Sequence, residues 1–93
     1  MIKHVYLLKL VDKSMADDVI NKVLELKENT PSVKDVEMYK DFRGTDKSYD
    51  LIEIVTCETM EDFESFTNDP FHQKVREYNA DKISHSIKVD YEC

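Results

Sequence analysis

Ile2-Lys3-His4-Val5-Tyr6-Leu7-Leu8-Lys9-Leu10-Val11 is the stretch that decides the fold. Read with a period of two, it sets Ile2, His4, Tyr6, Leu8 and Leu10 on one face and Lys3, Val5, Leu7, Lys9 and Val11 on the other. Both faces carry apolar side chains, as a strand inside a sheet requires. Tyr49 to Cys57 reads the same way, with Tyr49, Leu51, Val55 and Cys57 on one face and Ile52 and Ile54 on the other, interrupted by Asp50 and Glu53. Two further segments have a polar side and read as edges. Val33 to Phe42 sets Val36, Met38 and Phe42 against Asp35, Glu37, Tyr39 and Asp41. Ser84 to Glu92 sets His85, Ile87, Val89 and Tyr91 against Ser84, Ser86, Lys88, Asp90 and Glu92.

Helical patterns lie between these strands. Ser14 followed by Asp17 reads as a helix start, and Val19, Ile20, Val23, Leu24 and Leu26 keep helical spacing until Asn29-Thr30-Pro31 ends it. Arg43-Gly44-Thr45-Asp46-Lys47 is a turn, with Gly44 free to take positive φ. Thr59 with Asp62 repeats the capping signature, and Met60, Phe63, Phe66 and Thr67 line one side of a short helix that stops at Pro70. Asp69 then caps a second helix with Pro70 at its first position, carrying Phe71, Val75 and Tyr78 at helical spacing and His72 in its first turn.

Strand, helix, strand, strand, helix pair, strand is the split βαβ plan of an α+β, ferredoxin-like fold with a four-stranded antiparallel sheet, and residues 1–93 are expected to form one such domain. Strands one and three are central in that plan. Helices cover one face of the sheet only, so the apolar groups of the other face need a second cover. A homodimer, sheet against sheet with Leu7 toward the partner, supplies it.

Composition narrows the function classes. The chain has 20 acidic and 13 basic side chains and a net charge of −7, which repels phosphate backbones and anionic membrane surfaces. Neither nucleic acid nor a membrane is expected as a partner. No apolar run reaches the roughly 20 residues of a membrane span, and Met1-Ile2-Lys3-His4 leads into a strand rather than a signal peptide, so a cytoplasmic protein is expected. Cys57 and Cys93 form no C-x-x-C pair and have no metal-ligand spacing, so both should be reduced thiols.

The chain resembles the stress-responsive dimeric α/β barrel (Dabb) family, through His4-Val5-Tyr6-Leu7-Leu8-Lys9, Tyr49-Asp50-Leu51, Pro70-Phe71-His72 and Val89-Asp90-Tyr91, in that order. The resemblance runs over essentially the whole chain and implies two ferredoxin-like subunits packed sheet to sheet. A plant branch similar to olivetolic acid cyclase closes linear polyketides by aldol condensation, with a histidine and a tyrosine and no metal. Carried over by motif, that histidine falls on His72, its orienting aspartate on Asp90 and the first-strand cavity histidine on His4. The tyrosine falls on Phe66, which has no hydroxyl to donate, so the cyclase mechanism does not transfer whole.

The resemblance thus implies a His72–Asp90 catalytic pair, in which the carboxylate fixes the imidazole tautomer, with His4, Tyr6 and Phe66 at the substrate. Ser86, Lys88 and Asp90 must then face the helices, while Ile87, Val89 and Tyr91 face the dimer. Each residue also has a plainer reading: His72 as an imidazole outside a capped helix start, the pair as a tie between helix and strand, His4 as a satisfied core residue. His85 lies on the face opposite Asp90, which leaves no three-histidine metal site, and no cofactor is expected. The function classes that remain are a proton-transferring cyclase, isomerase or lyase acting on a small molecule, and a binding or stress-associated oligomer with a vestigial pocket. Fold analogy adds a cofactor-free or haem-handling monooxygenase. An open, partly apolar cavity beside His72 favours the enzyme, and a filled interior favours the oligomer.

Overall fold

The computed structural model describes all 93 residues, Met1–Cys93. β1 (Ile2–Leu10) leads through a 3-10 turn at Lys13–Met15 into α1 (Ala16–Leu24) and α2 (Leu26–Asn29). β2 (Asp35–Lys40), β3 (Leu51–Cys57), α3 (Met60–Thr67), α4 (Pro70–Asn79) and β4 (Ile83–Glu92) complete the chain. The strand order is β2-β3-β1-β4 and every neighbouring pair is antiparallel. The strands that are apolar on both faces therefore take the two central places.

The register assigns every side chain to a face. Ile2, His4, Tyr6 and Leu8 share the helix side with Val55, Glu53 and Leu51 of β3. Opposite them on β4 stand Asp90 across from His4, Lys88 across from Tyr6 and Ser86 across from Leu8. The polar set of β4 does face the helices, while Ile87, Val89 and Tyr91 lie with Leu7, Val5 and Lys3 on the bare face. A register shift between Lys9 and Leu10 pairs Leu10 with Ile83, so Ile83 joins the core side and His85 the bare side.

The core lies between the sheet and the helices, with Ile2, Leu8, Val19, Leu26, Val55 and Phe66 among its buried residues. Burying such a side chain contributes about 1.5–3 kcal/mol. Val19, Val23 and Leu26 form the buried stripe of α1 and α2, whereas Leu24 is exposed. On α3, Phe66 is enclosed and Phe63 partly covered, while Met60 stands in solvent.

The helix starts follow capping chemistry, with one change from expectation. The Thr59 hydroxyl accepts the Asp62 N–H at 3.1 Å, and the Asp69 carboxylate accepts the Phe71 N–H at 2.8 Å with Pro70 at the first helical turn. Ser14, expected to start the first helix, instead gives its N–H to Asp12 at 2.9 Å inside the 3-10 turn. α1 begins two residues later.

The second strand also ends earlier than its alternation suggests. Asp41 still donates its N–H to the Asp50 carbonyl at 2.9 Å, next in register after Lys40 and Leu51, but its carboxylate accepts the Gly44 N–H at 2.6 Å and bends the chain. Gly44 takes φ of 64° there, and Phe42 is left 92% exposed instead of joining Val36 and Met38. β3 starts at Leu51 rather than Tyr49, because the Asp50 carboxylate turns aside to accept the Leu10 N–H at 2.7 Å.

Burial separates the aromatic residues energetically. Phe66→Ala should lower stability by about 3–5 kcal/mol through loss of packing and an unfilled cavity. Phe42→Ala should stay within about 0.5 kcal/mol of the parent. Urea unfolding of both variants checks the contrast.

Candidate functional site

A cavity of about 460 Å³ opens between the helix face of the sheet and the helices. Its walls bring together His4 and Tyr6 from β1, Glu53 from β3, His72 and Arg76 from α4, and Lys88 from β4, over an apolar floor that includes Leu8, Val23 and Val75. The volume lies in the range of small-molecule sites. The interior is open rather than filled.

His4 is the best-organised polar side chain in this cavity. It is 4% exposed, and its Nδ1 is paired with Asp90 Oδ1 across the β1–β4 ladder. A carboxylate only accepts, so Nδ1 carries the proton and Nε2 keeps a lone pair. That Nε2 is buried and has no partner, as does the carboxamide oxygen of Asn79 on the same cavity wall. Burial lowers the His4 pKa below the ordinary 6.5, and the Asp90 contact only partly counters it, so the imidazole is neutral at pH 7. Burial pushes the Asp90 carboxyl up, but bonds from His4 and from Lys88 at 3.2 Å outweigh it and hold the group below its usual range.

The expected His72–Asp90 bond is not the one formed. His72 Nδ1 donates to the Phe66 carbonyl at 3.1 Å, a group freed at the end of α3. Asp90 is spent on the residue directly opposite it in the sheet, which is His4. His72 therefore has its own tautomer lock, with Nε2 as its acceptor, and burial lowers its pKa too. Both imidazoles are neutral bases on one cavity.

Phe66, expected against substrate, lies behind the site. Its ring is fully buried, stacked on His72 at 4.2 Å between centroids and edge-on to His4 at 5.6 Å. It braces both imidazoles and does not line the cavity. Tyr6 does line it and packs against His4 at 4.7 Å. His85 is remote on the bare face, bonded through Nδ1 to the Tyr49 hydroxyl at 2.7 Å, and no group of three or more His, Cys, Asp or Glu is arranged to hold a metal ion.

Glu53 is the residue that sequence reasoning passed over, as a mere interruption of an apolar strand. It is 7% exposed, and no hydrogen bond or ion pair reaches its carboxyl. Burial alone pushes its pKa up to about 7. A charged residue in the one strand position between Leu51 and Val55 was the available signal.

The match to known proteins agrees with this architecture. Residues 2–93 match the family model of the stress responsive A/B barrel domain, and the chain belongs to that family. No curated protein matches it. Among solved structures it is similar to an Arabidopsis thaliana protein, at 19% identity over 100% of this chain and 95% of that one, with a TM-score of 0.86. A dimeric ferredoxin-like protein of unknown function from Thermobifida fusca is 18% identical over 99% and 90% of the two chains, with a TM-score of 0.84. A hydroxynitrile lyase from Passiflora edulis is 13% identical over 97% and 90%, with a TM-score of 0.83. These likenesses establish the shared fold.

The Glu53 environment has a consequence for stability. A carboxyl whose folded pKa exceeds its unfolded one binds the proton more tightly in the native state, so stability falls as pH rises from about 4.5 to about 7. Glu53→Gln removes that loss. The variant should match the parent near pH 4 and exceed it by roughly 3 kcal/mol at pH 8, as read from denaturant unfolding at both pH values.

Proposed function

We propose that this chain is a cofactor-independent enzyme that moves a proton on a small carbonyl or hydroxyl compound, as a lyase, isomerase or cyclase does, with His4 as the base. The observation that carries this reading is the buried His4 Nε2, which has no partner while Asp90 holds Nδ1. An imidazole locked in one tautomer and kept neutral by burial has a lone pair ready for a substrate proton. Asp90 is the positioning residue, and it stabilises the imidazolium after transfer. His72 is a second neutral imidazole on the same cavity, suited to returning the proton elsewhere on the substrate. The Passiflora edulis relative is a lyase on this fold, which is compatible with the reading but does not carry it.

The assembly we propose is a homodimer through the bare face of the sheet. Ile87, Val89 and Tyr91 are exposed there, 64% in the case of Val89, beside Val5 and Leu7 of β1. Structural relatives from Thermobifida fusca and Bacteroides fragilis are described as dimeric. Cys57 is buried and Cys93 exposed, both as free thiols, which suits the reducing cytoplasm.

Two experiments test these readings. Exchange of α-protons into D₂O, followed by NMR across a panel of aryl and alkyl methyl ketones, should be faster with the protein than with buffer. His4→Ala should lower the rate on the order of 10²- to 10⁴-fold, and Asp90→Asn should lower it as well. The acid limb of the rate should lie below the ordinary imidazole value of 6.5, since burial depresses the His4 pKa. Acceleration that survives in His4→Ala would remove His4 from the role of base. In sedimentation the parent should run at twice the 11.0 kDa chain mass, and Leu7→Asp should run as a monomer or fail to fold.

A further inference from the structure

Glu53 is a carboxyl group with no structural task. The ladder pairs it with Tyr6 on β1 and Met38 on β2, which directs its side chain to the helix side and into the cavity. Tyr6 is next to His4 on that face, one strand position along. Two cationic side chains, Arg76 and Lys88, line the same cavity, yet neither pairs with Glu53, and Lys88 is engaged by Asp90 instead. A carboxylate buried without a partner is among the costliest groups a core can hold, whereas a neutral carboxylic acid is far cheaper there. A neutral acid also has what the two imidazoles lack, an O–H to donate.

We propose that Glu53 is the acid of this cavity: a buried, unpaired carboxyl that in its protonated form donates its O–H to a carbonyl or enolate oxygen of the ligand. The proposal rests on the reading of His4 as the base and adds the group that accepts the displaced charge. When His4 Nε2 takes a proton from the carbon beside a carbonyl, the C–H electron pair forms the carbon–carbon double bond. The carbonyl π pair moves to oxygen, and the oxygen takes the hydrogen bond or the proton of Glu53. No oxidant, metal or co-reactant enters the step. The substrate class is accordingly a small enolisable carbonyl compound, and Arg76 at the cavity wall adds a positive charge that favours the anionic form. Similar pairings of a base with a carboxylic acid kept neutral by an apolar site are known in enzymes that stabilise enolates.

The protonation is set by the surroundings of Glu53 on every side. From β1 it faces Tyr6 and, one place along, His4; from β2 it faces Met38, and α1 and α2 contribute only the apolar Val23 and Leu26 to the cavity. α4 contributes His72 and Arg76, and β4 contributes Lys88. Burial is the sole cause acting on the carboxyl and raises its pKa to about 7, so the donor is lost just above neutrality.

Two measurements on the full-length protein separate this proposal from the reading it rests on. Infrared difference spectra between pH 6 and pH 8 should show a protonated carboxyl band at pH 6 that disappears at pH 8 and is absent from Glu53→Gln. This reads the proton on Glu53 whether or not the protein catalyses anything. The second measurement uses 2,4-dinitrophenolate, an enolate-like oxyanion that stays ionised from pH 6 upward, as an optical probe of the cavity. Binding to the parent should weaken about tenfold per pH unit above pH 7, while Glu53→Gln should bind more weakly at pH 6 and show no such fall between pH 7 and pH 8.5. His4→Ala should keep the fall above pH 7. Absence of the carboxyl band, absence of probe binding to the parent at millimolar concentration, or the same pH dependence in Glu53→Gln would each overturn the proposal. A failed exchange experiment with both of these results positive would remove the base and leave the acid standing.

Discussion

The antiparallel register that sets His4 opposite Asp90 fixes both faces of the sheet at once. Side chains alternate along a strand, so a slip of one residue would carry Asp90, Lys88 and Ser86 to the bare side and bring Val89 and Ile87 under the helices. The observed register does the reverse of ordinary amphipathic packing on β4. It places three polar residues beneath the helices and leaves three apolar ones bare. Such a strand is tolerable when a cavity hydrates the polar side and another surface covers the apolar one. The cavity and the bare apolar face are therefore two consequences of one pairing.

The cavity concentrates groups that a core would otherwise exclude. Two imidazoles, a carboxyl and an unpaired amide oxygen line or border one space, and Phe66 buttresses both imidazoles from behind. Each costs stability relative to an apolar residue of similar size, since buried polar atoms without partners lose their hydration. Proteins keep such groups where ligands complete their hydrogen bonds. The rest of the domain compensates by conventional means: an apolar stripe on α1 and α2, capped starts for α3 and α4, and a glycine at the one turn with positive φ.

Much of the fold is legible in the chain because it depends on alternation and caps. The central places of β1 and β3 follow from Val5, Leu7, Ile52 and Ile54 on their second face, and Thr59 and Asp69 mark two helix starts directly. The end of β2 is less legible, because Phe42 keeps the alternation while the Gly44 N–H bonds back to the Asp41 carboxylate and bends the chain out of the sheet. The candidate site divides in the same way. Its members His4, Tyr6, His72 and Asp90 are readable by type and motif, but partner choice depends on strand register and on the freed Phe66 carbonyl, neither of which has a local signal. Glu53 interrupts an apolar strand in sequence, and its place on a cavity wall depends on the fold.

The state of the His4 imidazole decides the account, and ¹⁵N NMR of the histidine side chains between pH 6 and pH 8 reads it directly. The account predicts a neutral ring protonated at Nδ1, with Nε2 unprotonated from pH 7 upward, and loss of this tautomer preference in Asp90→Asn. A proton resident on Nε2, or a doubly protonated ring at neutral pH, would contradict it.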